Sequence, residues 1–220
     1  MADTALPAPG STPRTRVRRI PEKSVGDREV LHAVLDAGLV AHVAVTDDDG
    51  QPYVLPVAYA RDGERVLFHG STGSRLFRLL ADGRPTCLTV TLLDGLVLAR
   101  SAFESSMHYR GAMVLGVAEV LDGAAAEAAL RTISDHLLPG RWDDIRSPSR
   151  KELAATLVLA LPLEETSVKV SGGPPDDAEE DLDRPVWGGH VPIREQFGTP
   201  VPDARGAAYP VPDYVRHWTR

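Results

Sequence analysis

Residues 39–69 read LVAHVAVTDDDGQPYVLPVAYARDGERVLFH, and this stretch decides the fold class. Three apolar, β-branched runs, residues 39–46, 53–60 and 65–69, are separated by Asp47-Asp48-Asp49-Gly50 and Arg61-Asp62-Gly63-Glu64. Asp-Gly pairs supply the turn conformations that join antiparallel strands, so each is a hairpin signal. A parallel pair would need a crossover of a dozen or more residues between its strands, and none fits here. Upstream, Asp27 is placed to cap a helix whose Val30, Leu31, Val34 and Leu35 recur at helical spacing, with Gly38 as its C′ glycine. Downstream, a short helix is predicted over 74–81. A further hairpin is predicted for 86–93 and 96–103 across Asp94-Gly95, then a long strand over 110–121. Asp122-Gly123 opens a helix to residue 138 that carries Leu130, Ile133 and Leu137 on one face and stops at Pro139-Gly140. Ser149 and Glu152 have capping-box spacing, and residues 157–163 and 168–171 complete the strands. Seven or eight mostly antiparallel strands with few helices predict a mainly β fold, a β-barrel with peripheral helices.

Composition narrows the function classes. The 220 residues carry 31 acidic and 24 basic side chains, a formal charge of −7, and 43% are hydrophobic, which excludes wholesale disorder. The longest apolar runs, such as 157–163, fall far short of the roughly 20 residues of a membrane span, and no secretory leader is evident. The acidic balance argues against nucleic acid as a partner. Cys87 is the single cysteine; it cannot form an internal disulfide and is expected to be a small buried residue in a cytoplasmic protein. Three segments are expected: a basic, proline-rich arm (1–26) containing Arg14, Arg16, Arg18 and Arg19, a barrel (27–172), and a tail (173–220). The tail begins with six acids and no base over 176–183, read as a solvated linker, and continues into an aromatic segment expected to pack on the barrel or on a partner subunit.

The segment richest in chemistry is Val66-Leu67-Phe68-His69-Gly70-Ser71-Thr72-Gly73-Ser74-Arg75. A strand delivers two glycines, three hydroxyls and an arginine to a helix start. A phosphate wants free N–H donors, hydroxyl donors and a fixed positive charge, and all three converge here, with Arg78 one turn on. The plainer alternative is a strand-to-helix turn whose serines only cap the helix.

This segment, preceded by Pro52-Tyr53-Val54-Leu55-Pro56-Val57-Ala58-Tyr59, resembles the pyridoxamine 5′-phosphate oxidase-like, FMN-binding split-barrel superfamily, in particular the branch of the 5-nitroimidazole-resistance reductases. Asp94-Gly95-Leu96-Val97-Leu98-Ala99-Arg100, His108-Tyr109-Arg110-Gly111, Pro139-Gly140-Arg141 and Val186-Trp187-Gly188-Gly189 extend the likeness over roughly residues 17–195. The resemblance implies a split β-barrel of about six to eight antiparallel strands and a homodimer with FMN at the subunit interface. By the same resemblance Gly70, Ser71, Ser74 and Arg75 would hold the FMN phosphate. Pro56, Val57, Ala58 and Tyr59 would line the ring edge, Tyr109 and Arg110 would come from the other subunit, and Trp187 would close over the ring. Arg100 and Arg110 are candidates for the positive charge that stabilises reduced flavin, the alternative being an ordinary ion pair. His69 and Arg110 are the catalytic candidates, orienting a small-molecule substrate or moving protons. His69 could instead ligate heme b as an axial ligand. An FMN-dependent oxidoreductase, a heme protein on the same barrel and a non-catalytic flavin binder are all compatible with these residues. His108 and Gly111 depart from the family pattern, in which asparagine and serine are frequent. No two histidines lie three to five residues apart, so no zinc spacing is present, and no Gly-x-Ser-x-Gly elbow marks a hydrolase.

Overall fold

A computed structural model describes residues 6–218; the first five residues of the predicted arm lie outside them. The described residues form strands β1 (Val40–Thr46), β2 (Pro52–Asp62), β3 (Arg65–Ser71), β4 (Pro85–Leu98), β5 (Ser106–Val117), β6 (Glu119–Leu121), β7 (Thr156–Pro162), β8 (Glu165–Ser171) and β9 (Gly189–Pro192). Their α-helices are α1 (Arg28–Ala37), α2 (Arg75–Ala81), α3 (Gly123–Leu137), α4 (Arg141–Asp144), α5 (Arg150–Ala154) and α6 (Asp213–Arg216). No helix among the described residues is long and apolar enough to cross a membrane. The chain divides into two compact units interleaved in sequence. One comprises Met1–Gly38, Cys87–Leu115 and Leu163–Arg194; the other comprises Leu39–Thr86, Gly116–Pro162 and Glu195–Arg220.

In the second unit the strand order is β6-β7-β3-β2-β1, antiparallel throughout. The first two Asp-Gly turns close hairpins as expected: β1 pairs β2 from Val40↔Ala58 to Thr46↔Pro52, and β2 pairs β3 from Tyr59↔Phe68 to Asp62↔Arg65. Helix α3 lies on this sheet. Its Ala126, Ala129 and Ile133 pack with Ala60, Leu67, Val158 and Ala160, and Leu130 and Leu137 close the edges, so the predicted apolar face is the buried one. Alanines on both sides let helix and strands approach closely. The capping box is formed in both directions: Ser149 Oγ accepts from Glu152 N, and a Glu152 carboxylate oxygen accepts from Ser149 N.

In the first unit β8 pairs β5 from Tyr109↔Ser171 to Leu115↔Glu165, and β9 pairs the end of β4 from Gly95↔Pro192 to Leu98↔Gly189. Helix α1 is capped by Asp27, which accepts from Glu29 N, and buries Leu31, Val34 and Leu35. The N-terminal arm is docked rather than loose. Gly10 N donates to Thr166 O and Val25 N to Val168 O, and Thr15 is buried.

Two local expectations are corrected. Gly38 has φ −82° and ψ 149°, so the helix ends on an extended residue and no left-handed glycine cap forms. Residues 86–103 are not a hairpin: β4 runs unbroken through Asp94-Gly95. A β-carbon on Gly95 would stand 2.9 Å from the Val191 carbonyl oxygen. The glycine therefore makes room for β9, while Asp94 turns its carboxylate to Arg110. Glycine inside a strand marks close approach of another backbone as readily as a turn.

Candidate functional site

The residues singled out in the sequence fall into two clusters, one in each unit. In the second unit β3 carries His69, Gly70 and Ser71 to the turn that starts α2. Gly70 is there for packing. A β-carbon on it would fall 2.2 Å from Cε2 of Phe77, whose ring lies across the strand and tilts against Phe68 at a centroid distance of 6.0 Å. Gly73 has room for a side chain, an added β-carbon meeting only Ser71 Oγ in ordinary van der Waals contact at 3.5 Å. The turn is held by Gly73 N donating to Ser71 Oγ at 3.1 Å, Ser74 N to Ser71 O at 2.9 Å, and Thr72 N to Ala155 O at 3.0 Å. Ser74 occupies the N-cap position of α2, yet its side chain makes no capping bond. Its hydroxyl and that of Ser71 therefore keep a proton to donate.

Arg75 is exposed, and its Nη1 donates to the Tyr53 hydroxyl while its guanidinium carbon lies 5.2 Å from the Tyr53 ring centroid. Neither Arg75 nor the exposed Arg78 has a carboxylate partner among the described residues. Several other arginines of the chain are neutralised by acids, as Arg65 is by Asp62 and Arg146 by Glu152. Tyr53, which no sequence motif singles out as a site residue, holds Arg75 in place by hydrogen bond and cation–π contact. Its sequence signal is its place in the run Pro52–Tyr59, on β2.

His69 keeps solvent access on β3, opposite Val158 in the register. Desolvation by its surroundings lowers its pKa, so at neutral pH the imidazole is uncharged and offers a lone pair. On β2, Pro56 is exposed, and Val57 and Ala58 are half-buried. Tyr59 is fully buried in the core with its ring 5.5 Å from that of His136.

In the first unit, Arg110 on β5 is bidentate to Asp94: Nε donates to Oδ2 at 2.9 Å and Nη2 to Oδ1 at 2.8 Å. The guanidinium holds the Asp94 carboxyl below its ordinary pKa, chiefly through these hydrogen bonds, and Asp94 raises that of Arg110 in return. Tyr109 is half-buried beside it. Arg100 is pinned by Asp177, whose side chain is only 2% exposed: Asp177 accepts from Arg100 Nη1 at 2.7 Å and from Arg100 N at 2.5 Å. Arg100 Nε is buried without a partner. Both arginines proposed as free charges are thus already compensated, which is the ion-pair alternative weighed for them. Trp187 is 66% exposed and lies against Gly189. The rings of His108 and His190 are 5.1 Å apart, and the Gly173 carbonyl accepts from His108 Nε2 at 2.9 Å. Cys87 is half-buried rather than buried, and burial still raises its thiol pKa. No group of three or more potential metal-ligating side chains exists among the described residues.

A mainly antiparallel fold with few helices is that of a split β-barrel. The chain belongs to the pyridoxamine 5′-phosphate oxidase family, which its residues 27–170 match. The FAD and heme binding protein from Mycobacterium smegmatis shares 43% identity and a TM-score of 0.84, over 88% of this chain and 96% of that one. The flavocytochrome Anf3 from Azotobacter vinelandii shares 43% identity and a TM-score of 0.88, over 95% and 97%. A candidate 5-nitroimidazole antibiotic resistance protein from Bacteroides thetaiotaomicron shares the fold at 22% identity and a TM-score of 0.57, over 67% and 86%. No curated protein matches the chain.

Proposed function

We propose that this protein is a flavin-dependent oxidoreductase that also carries heme, acting on a small molecule in the cytoplasm. The observation that carries the reading is the β3–α2 turn, where Arg75 and Arg78 stand exposed with no carboxylate partner among the described residues, beside the uncommitted Ser74 hydroxyl. An uncompensated pair of arginines next to hydroxyl donors fits an anionic phosphate and has no evident packing role. The two relatives 43% identical to this chain are an FAD and heme binding protein and a flavocytochrome. They favour FAD over the FMN implied by the wider resemblance, and flavin together with heme rather than one or the other.

In this reading Arg75, oriented by Tyr53, pairs with the flavin phosphate, and Ser71 and Ser74 donate to its oxygens. A bound flavin supplies hydride or two-electron chemistry and a bound heme one-electron exchange. The His69 imidazole has no hydrogen-bond partner among the described residues and burial favours its neutral form, which fits it to ligate iron or to accept a proton at its free ring nitrogen. Arg110 keeps Nη1 free of Asp94 and can orient an acceptor atom with that donor. The assembly proposed is a homodimer. Val54 and Leu55, neighbours on β2 and so on opposite faces of it, are both exposed at 58% and 45%, and a second copy would cover them.

An absorption spectrum of freshly purified protein tests the reading. Flavin bands and a Soret band are expected together, with chromatography of the heat-released flavin giving FAD. Arg75→Ala should lose most flavin and keep heme; His69→Ala should do the reverse. Neither chromophore after reconstitution would sink the proposal, and light scattering should give about twice the 23.7 kDa chain mass.

A further inference from the structure

The basic run that reads in sequence as a solvated tail is, in the fold, a fixed surface. Residues 16–24 hold Arg16, Arg18, Arg19 and Lys23 against a single acid, Glu22, and Lys169 joins them from β8. The segment is tethered on both sides. Thr12 Oγ1 donates to Glu165 at 3.1 Å and Arg14 pairs with the same carboxylate; Ser24 bridges to Lys169, and Lys169 Nζ donates to Arg19 O at 3.3 Å. Arg28 then bonds the carbonyls of Pro7 and Leu163. Arg14 is the one arginine of the run that meets an acid among the described residues. Arg16, Arg18 and Arg19 reach the surface with no carboxylate partner among those residues. Between them and Lys23 sits Ile20 at φ 55°, ψ 60°, the one non-glycine residue of positive φ among those described. A β-branched side chain in the left-handed region is a strained placement that surrounding structure must enforce. A chain of net charge −7 thus fixes a strained, cationic loop on its surface and leaves it uncompensated.

We propose that this loop is the docking surface for an acidic electron-carrier protein. The inference rests on the redox function proposed above, in which flavin and heme draw their electrons from outside the chain. Complementary charge is the usual means by which small, short-lived electron-transfer interfaces gain speed and orientation. The alternatives fit less well. The segment has no aromatic side chain on which bases could stack, and none of its apolar residues is among the exposed large hydrophobics that could enter a lipid surface.

The test uses full-length protein and a purified acidic [2Fe–2S] ferredoxin as probe. Titration calorimetry at 50 mM salt should give micromolar binding that weakens at least tenfold at 300 mM salt and at least tenfold in R16E/R18E/R19E. The charge-reversed control R150E/K151E on α5 should bind within twofold of the wild type. In stopped flow, reduction by the ferredoxin should slow at least tenfold in R16E/R18E/R19E, while reduction by dithionite stays within twofold. Salt-independent or absent ferredoxin binding, or equal loss in both charge variants, overturns the docking surface. So does a gel shift showing that the loop retains RNA and loses it in the triple variant. A protein without chromophore defeats the redox reading instead, and the calorimetry still decides the surface.

Discussion

At Gly70 and Gly73 the same residue type does two different jobs three positions apart. Both glycines suggest a backbone bent around an anion, but neither has a positive φ. At Gly70 the missing β-carbon is occupied by the Phe77 ring, itself buried against Phe68. Gly70→Ala must displace a ring wedged in the core and should destabilise by about 1–3 kcal/mol. Gly73→Ala meets only an ordinary van der Waals contact and should stay within about 0.5 kcal/mol of wild type in denaturant melts. The double variant Gly70→Ala with Phe77→Leu should recover part of the loss if the ring is the obstacle. The turn's location and its cations could be read from the chain, because Ser, Gly and Arg announce themselves locally. The groups packed against each residue could not, because Phe77 over Gly70 and Tyr53 under Arg75 are contacts between elements. Tyr59 shows the same limit. Its ring lies 5.5 Å from that of His136 on α3, a contact between elements far apart in the chain.

Among elements, β4 shows how a correct local signal can mislead. Asp94-Gly95 has the composition of a hairpin turn, as do the Asp-Gly pairs that close β1–β2 and β2–β3. The difference is a partner nearly a hundred residues away, β9, which crosses where Gly95 has no side chain. Gly95→Ala would place a β-carbon against the Val191 carbonyl and should detach β9 while sparing the helices and the β1–β2–β3 meander. Limited trypsinolysis at Arg184 and Arg194, both exposed, should accelerate about tenfold with the overall melting point little changed. Asp94 has a role of its own in the strand, and it titrates. Its folded pKa is depressed, first by its hydrogen bonds from Arg110. The stability it contributes is therefore full above the unfolded carboxyl pKa of about 4 and is lost as pH falls through the lower folded value. Both side chains are near 40% exposed, so screening keeps the contribution below about 1 kcal/mol. Asp94→Asn should lower stability by up to that amount at pH 7 and converge with the wild type in urea melts once pH has fallen through the lowered folded pKa.

For the molecule as a whole, the formal charge of −7 is distributed by the two terminal segments, and the fold fastens both. The linker expected to be solvated carries six acids over residues 176–183, yet Asp177 is almost fully buried on Arg100, and Asp181 pairs with Arg184. Composition could not separate a dissolved acidic run from a docked one, because only the position of Arg100 converts one of its acids into an anchor. The anchor also fixes the course of the tail. A β-carbon on Gly188 would stand 2.8 Å from Arg100 Nη1, so the chain beyond Asp177 returns to the same guanidinium between Trp187 and β9. Asp177→Ala leaves that guanidinium, whose Nε already lacks a partner, half-enclosed and unpaired. Breaking one side of such a pair should cost about 2–4 kcal/mol, most of it the penalty for the stranded charge. Removing both partners, Arg100→Ala with Asp177→Ala, should therefore be less damaging than Asp177→Ala alone, although it deletes more contacts. Thermal melts of the two single variants and the double variant read this directly. Equal or greater loss in the double variant would mean that the two side chains contribute by packing and not as an ion pair. Trypsin cleavage at Arg184 and Arg194 should rise in every member of the cycle, since the tail loses its fastening whichever side of the pair is removed.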